Sequence, residues 1–153
     1  EIGVMARISG LFSGKSYNMD SITVGVTEDP TVSRMTISFT SDDRTFEQVK
    51  KQLNRSVEVI KVVDYTDIPI HKREVLFVKV NSCSSADKDE VFRIANAFGY
   101  NIADYNRNSI LVECVQTEDK NDNAIKLFKE TFPNRIEVIR GGSVAVEAIS
   151  IAD

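Results

Sequence analysis

The sequence predicts an α+β protein of two ferredoxin-like (βαββαβ) units, the first lacking its opening strand. Three observations predict it. Apolar residues switch repeatedly between the 3.6-residue period of helices and the 2-residue period of strands. The order of these segments runs α-β-β-α-β and then β-α-β-β-α-β, and the second run is the split-βαβ order. At 153 residues the chain has room for two small domains of roughly 70–80 residues each.

The first element is a helix, because Val4, Met5, Ile8, Leu11 and Phe12 recur on one helical face, with Gly3 at its start and Gly14 and Ser16 at its end. Ile22, Val24 and Val26 then alternate with Thr23 and Gly25 as a half-buried strand. Thr27–Pro30 is a turn by its Asp and Pro content. Met35, Ile37 and Phe39 alternate with Arg34, Thr36 and Ser38 to give the partner strand of a hairpin. Asp42 or Asp43 caps a second helix that carries Phe46, Val49 and Leu53 on one face. Val57–Val63 reads as the closing strand of the unit.

A short linker over 67–73, holding Pro69 and His71, leads to the second unit over 74–153. Glu74–Val80 is an apolar strand. Asp87–Phe98 is a helix that buries Val91, Phe92, Ala95 and Phe98 and stops at Gly99. Asn101–Tyr105 and Ser109–Val115 form a hairpin. Asp119–Thr131 is a helix with Ile125, Leu127 and Phe128, stopped by Pro133; Arg135–Ile139 is a strand, and Ser143–Ile151 adds one more.

The absent strand carries weight, because the first strand of a ferredoxin-like sheet lies between the third and fourth. Without it, backbone donors and acceptors stand open in mid-sheet. The expectation is that residues preceding Glu1 supply it; a strand donated by a partner chain is the other way to fill the gap. So thin a core also favours oligomerisation.

Composition excludes more than it selects. With 19 Lys and Arg against 23 Asp and Glu, the net charge is −4, which disfavours nucleic acid and anionic membranes as partners. No apolar run nears the ~20 residues of a membrane span. Two cysteines, Cys83 and Cys114, are too few for a disulfide framework, so the expected compartment is the cytoplasm. One His and two distant Cys give no metal or Cys–His catalytic spacing. The fold itself hosts many functions. An RNA-recognition unit needs stacking aromatics on its middle strands, and Ser33–Phe39 carries one aromatic in a core-facing position. An acylphosphatase needs a Gly- and Arg-bearing loop after the first strand, and a metal-binding loop needs Cys-x-x-Cys there. Asn81–Ala86 has no Gly or Arg and only Cys83. Ligand sensing survives.

The run Gly3-Val4-Met5-Ala6-Arg7-Ile8-Ser9-Gly10-Leu11-Phe12, then Tyr17-Asn18-Met19-Asp20-Ser21-Ile22-Thr23-Val24, resembles the ACT domain of the small regulatory subunit of acetohydroxyacid (acetolactate) synthase. Glu28-Asp29-Pro30-Thr31-Val32-Ser33-Arg34-Met35, Gln48–Leu53 and Val57–Val62 extend the resemblance. Residues 1–66 are thereby identified as an ACT domain, and 74–151 resemble the family's C-terminal domain more loosely. The resemblance implies a non-catalytic cytoplasmic subunit. It activates a large catalytic subunit, with which it forms a complex, and confers feedback inhibition by a branched-chain amino acid, usually valine. No cofactor is expected in this chain; thiamine diphosphate, Mg²⁺ and FAD belong to the catalytic partner. A stand-alone ACT sensor acting on another enzyme or regulator is the alternative, and a small hydrolase a remote one.

Residue chemistry agrees with effector binding. Helix N-terminal amides suit a carboxylate, which makes the Gly3, Val4 and Met5 amides the expected donors. Asn18 offers an acceptor for an ammonium and a donor for a carboxylate, and Met19 an apolar neighbour for an aliphatic side chain. The resemblance implies a homodimer through ACT domains, with Gly3–Met5 of one chain meeting Asn18–Met19 of the other. Taken singly, Gly3 reads as a helix-initiating residue and Asn18 as a turn residue tolerant of left-handed backbone. Only the whole string carries the effector reading. His71 reads as a solvated linker residue, Cys114 as a buried small residue and Cys83 as an incidental surface thiol.

Overall fold

The computed structural model describes Gly10, which is helical, and residues 18–56 and 59–150; for Asn18 and Met19 it describes the backbone. The rest of the expected first helix, with Val4, Met5, Ile8, Leu11 and Phe12, lies outside the described residues, as do Val57, Glu58 and Ile151. The chain divides into two compact units, 1–71 with 146–153, and 72–145.

In the first unit β1 (Asn18–Val26) and β2 (Ser33–Thr40) pair antiparallel, and α1 (Asp43–Arg55) follows. The hairpin turn is held by short polar side chains. The Thr27 hydroxyl donates to the Val32 carbonyl at 2.8 Å, and the Asp29 carboxylate accepts from the Thr31 amide at 3.0 Å. That second bond holds the Asp29 carboxyl below its ordinary pKa. Asp42 is the N-cap of α1, its carboxylate accepting from the Thr45 amide at 2.7 Å. Val49 is buried among Ile22, Met35, Ile37, Phe39, Leu53 and Val59, and Phe39 stacks on Phe46 at 5.2 Å.

The closing strand expected over Val57–Val63 is absent from its described part: residues 59–63 carry no strand. Apolar alternation makes a strand only where a neighbour completes the hydrogen-bond ladder. Among the described residues the only partner of β2 is β1, and no strand lies beside 59–63. The segment is tied instead by side chains. Lys50 Nζ reaches Asp64 at 3.2 Å, and Asp64 accepts from the Thr66 amide at 2.9 Å and from the Thr66 hydroxyl at 2.6 Å.

The second unit realises the expected order: β3 (Ile70–Val80), α2 (Ser85–Phe98), β4 (Asn101–Tyr105), β5 (Ile110–Gln116), α3 (Glu118–Thr131), β6 (Ile136–Arg140) and β7 (Val144–Glu147). The sheet runs β4-β5-β3-β6, with β7 also on β3, so β3 is central between two antiparallel neighbours. β3 opens four residues upstream of the expected Glu74, taking in exposed His71, while β7 is shorter than the expected Ser143–Ile151. Leu76, Val78 and Val80 of β3 and Ile110, Val112 and Cys114 of β5 form the buried face, packed with Val91, Ile94, Ala124, Phe128 and Phe132. Helix α2 buries Val91, Ile94 and Ala95, whereas Phe92 and Phe98, expected inside, are 40% and 60% exposed. The stripe at i, i+3 and i+4 is centred on Ile94 and leaves both phenylalanines on its flanks. Cys83, expected at the surface, is buried, and burial raises its thiol pKa.

A capping box starts α2: the Asp87 amide donates to the Ser84 hydroxyl at 3.1 Å and the Ser84 amide to the Asp87 carboxylate at 2.9 Å. The Arg135 guanidinium, 2.8 Å from Asp87, draws its carboxyl well below the usual carboxylate range. Near the other end of β3, Glu74 is 4% exposed and fully partnered. Its Oε1 accepts from Arg140 Nη2 at 2.6 Å, Arg140 Nε at 3.0 Å and Asn121 Nδ2 at 3.0 Å. Asn121, itself fully buried, accepts from Gln116 Nε2 at 2.9 Å, and Arg140 Nη1 reaches Asp122 at 2.8 Å. A polar residue that opens the buried stripe of α3, ahead of Ala124 and Phe128, is thereby satisfied.

Candidate functional site

Of the residues singled out for effector binding, Gly3, Val4 and Met5 lie outside the described residues. Asn18 and Met19 open β1, their backbones paired with Thr40 and Phe39 at the end of β2 that leads into the Asp42 cap of α1. The strand start and the helix start therefore share one end of the unit.

The pairing is not uniform there. Met19 pairs Phe39 and Ser21 pairs Ser38, which leaves Asp20 as an extra residue in β1, a β-bulge. The bulge reverses the alternation of the strand, so Met19 and Ile22, three apart, both pair residues of the α1-facing stripe, Phe39 and Ile37. Asp20 is exposed, and its carboxylate accepts from the Thr40 hydroxyl at 3.3 Å. Strand-period reading missed this device, although the odd spacing of Met19 and Ile22 was its signal. β1 pairs β2 alone among the described residues, and Val24 and Val26 are 47% and 70% exposed.

Among the described residues no group of three or more His, Cys, Asp or Glu could hold a metal ion, and no helix is long and apolar enough to cross a membrane. Burial pushes the Cys114 thiol up to about 12, the opposite of what a nucleophile requires.

Against known families, residues 1–61 match the model described as the AHAS small subunit-like ACT domain, and residues 73–149 match the small subunit of acetolactate synthase. The chain belongs to the acetolactate synthase small-subunit family. Its similarity to individual members is extensive. It is 42% identical over 147 residues to the acetolactate synthase small subunit of Aquifex aeolicus, covering 95% of this chain and 75% of that one. It is 38% identical to the small subunit of Haemophilus influenzae, covering 95% and 88%. The crystal structure of the Thermotoga maritima acetolactate synthase small subunit superposes with a TM-score of 0.83 at 32% identity, over 99% of this chain and 92% of that one. As a member of that family, the chain is a regulatory rather than a catalytic polypeptide, of α+β fold with an N-terminal ACT domain.

Proposed function

We propose that this chain activates the large catalytic subunit of acetolactate synthase and makes it subject to feedback inhibition by valine or another branched-chain amino acid. The observation that carries the reading is the match of both halves of the chain to the two domains of one regulatory-subunit family. The effector lies between the ACT domains of a homodimer. Its carboxylate meets the Gly3, Val4 and Met5 amides of one protomer, and its polar head meets Asn18 of the other, beside Met19. That β1 pairs β2 alone among the described residues, with Val24 and Val26 exposed, supports pairing of two copies there. Thiamine diphosphate, Mg²⁺ and FAD reside in the catalytic partner, and the complex works in the cytoplasm.

Mechanistically, the effector shifts a population. It binds the pairing of regulatory chains that does not activate more tightly than the one that does, and withdraws activation by that difference. Asn18→Ala tests the reading. A hydrogen bond to a charged group contributes about 1.5–3 kcal/mol, so the valine concentration for half-inhibition should rise roughly 10- to 100-fold while activation persists. Loss of activation and inhibition together, or unchanged inhibition, would contradict it.

A further inference from the structure

The end of the β1–β2 hairpin at which Asn18 stands carries a single charged residue. Asp20 is the only charge in β1, and the only one in β2, Arg34, pairs Gly25 toward the opposite end. Asp20 is also the residue that the β-bulge sets apart. Ser21, not Asp20, takes the place opposite Ser38, so Asp20 stands outside the ladder and is exposed.

Thr40 fixes where its carboxylate lies. The Thr40 hydroxyl donates to Asp20 at 3.3 Å, and Thr40 is the cross-strand partner of Asn18. Directly opposed residues lie about 4.5–5.5 Å apart between Cα atoms, so the carboxylate stands within a residue's breadth of Asn18. Among the described residues no Lys, Arg or His forms an ion pair with it. Of the two other acids that follow Thr40, Asp42 is committed to the Thr45 amide at 2.7 Å as the cap of α1, and Asp43 lies in the first turn of that helix.

The effector reading gives the ligand carboxylate to the amides of Gly3, Val4 and Met5 and leaves the ammonium to Asn18, which is neutral. An ammonium held between two protein copies loses water, and it is stabilised there only by an anion. We propose that Asp20 is that anion. Its carboxylate accepts from the ammonium of the effector whose head Asn18 holds. Asp20 is thereby the residue that selects an α-amino acid over a carboxylic or 2-oxo acid of the same carbon skeleton. This assignment rests on the effector reading of Asn18.

The test is a titration of the ¹⁵N-labelled full chain with L-valine and with isovalerate, which is valine without its ammonium. The amides of Ser21, Ile22 and Thr40 report binding. D20N keeps an oxygen for the Thr40 hydroxyl and removes the charge. Its midpoint for valine should rise roughly tenfold, the typical effect of one charge-assisted hydrogen bond. Isovalerate should bind D20N no less tightly than it binds the parent. A midpoint for valine that rises in N18A but not in D20N would overturn the role of Asp20 and leave the effector reading standing. Equal weakening of valine and isovalerate by D20N would also overturn that role, because the carboxylate would then shape the strand rather than meet the ammonium. No shift of these amides when valine is added to the parent chain overturns the effector reading and the role of Asp20 with it.

Discussion

Arg140→Ala should be the most damaging single change to the second unit outside its apolar core. The parent side chain makes two hydrogen bonds to a carboxylate that is 4% exposed, at 2.6 and 3.0 Å, and one to exposed Asp122. Removing it leaves the Glu74 charge buried with Asn121 as its one remaining side-chain donor at 3.0 Å. Breaking a buried pair by deleting one partner costs about 3–5 kcal/mol. Arg140 is itself 30% exposed, so water can reach the site, and the lower end, about 3 kcal/mol, is the working value. For a unit of this size each kcal/mol moves the melting midpoint by roughly 4–8 °C, so a fall of about 12–24 °C is expected. The assay is thermal and urea unfolding followed by circular dichroism. Asp122→Ala, which removes only the exposed partner, should cost less than about 1 kcal/mol. Replacing both partners (Glu74→Leu with Arg140→Met) should recover much of the loss, because no charge is then stranded. An Arg140→Ala variant within about 1 kcal/mol of the parent would mean that Glu74 is not stranded by the loss of Arg140.

Ser84→Ala removes the hydroxyl that accepts from the Asp87 amide and should cost about 1 kcal/mol by the same unfolding assay. The folded-state pKa of Asp87 is depressed below its ordinary 3.8, chiefly by Arg135, so its contribution is complete above that value and is lost as pH falls toward the folded-state pKa. Asp87→Asn should therefore be less stable than the parent at neutral pH, with the difference closing on acidification; a pH series of urea midpoints checks it. Cys114, 1% exposed and with its thiol pushed up to about 12, should resist iodoacetamide at mildly alkaline pH in the native chain and react fully once urea unfolds it. Mass spectrometry of the alkylated peptide reads the result.

The second unit was the more legible half of the sequence, for a physical reason. Its central strand β3 is present, so each apolar alternation found a ladder, and the order β-α-β-β-α-β emerged as read. Periodicity over Val57–Val63 was just as suggestive, yet residues 59–63 form no strand, because strand formation depends on a neighbour that periodicity does not report. Among the described residues, helix faces were read to within one residue. Phe92 and Phe98 are large and apolar, but the buried stripe follows Val91, Ile94 and Ala95, and size drew the reading to the wrong side. Asn121 was invisible, since only the tertiary placement of Glu74 and Gln116 makes a polar residue acceptable at the head of a buried helix stripe. At the effector site, residue types and their order carried the reading. The bulge at Asp20 carried none of it, although the three-residue step from Met19 to Ile22 recorded it.

A member of the acetolactate synthase small-subunit family regulates a catalytic chain rather than performing chemistry itself. The most direct test is acetolactate formation by the large catalytic subunit, measured alone, with this chain, and with this chain plus valine. Activity should rise on mixing and fall again as valine is added, and this chain alone should form no acetolactate. Activity unchanged by mixing, or raised by mixing but indifferent to valine, leucine and isoleucine, would contradict that role.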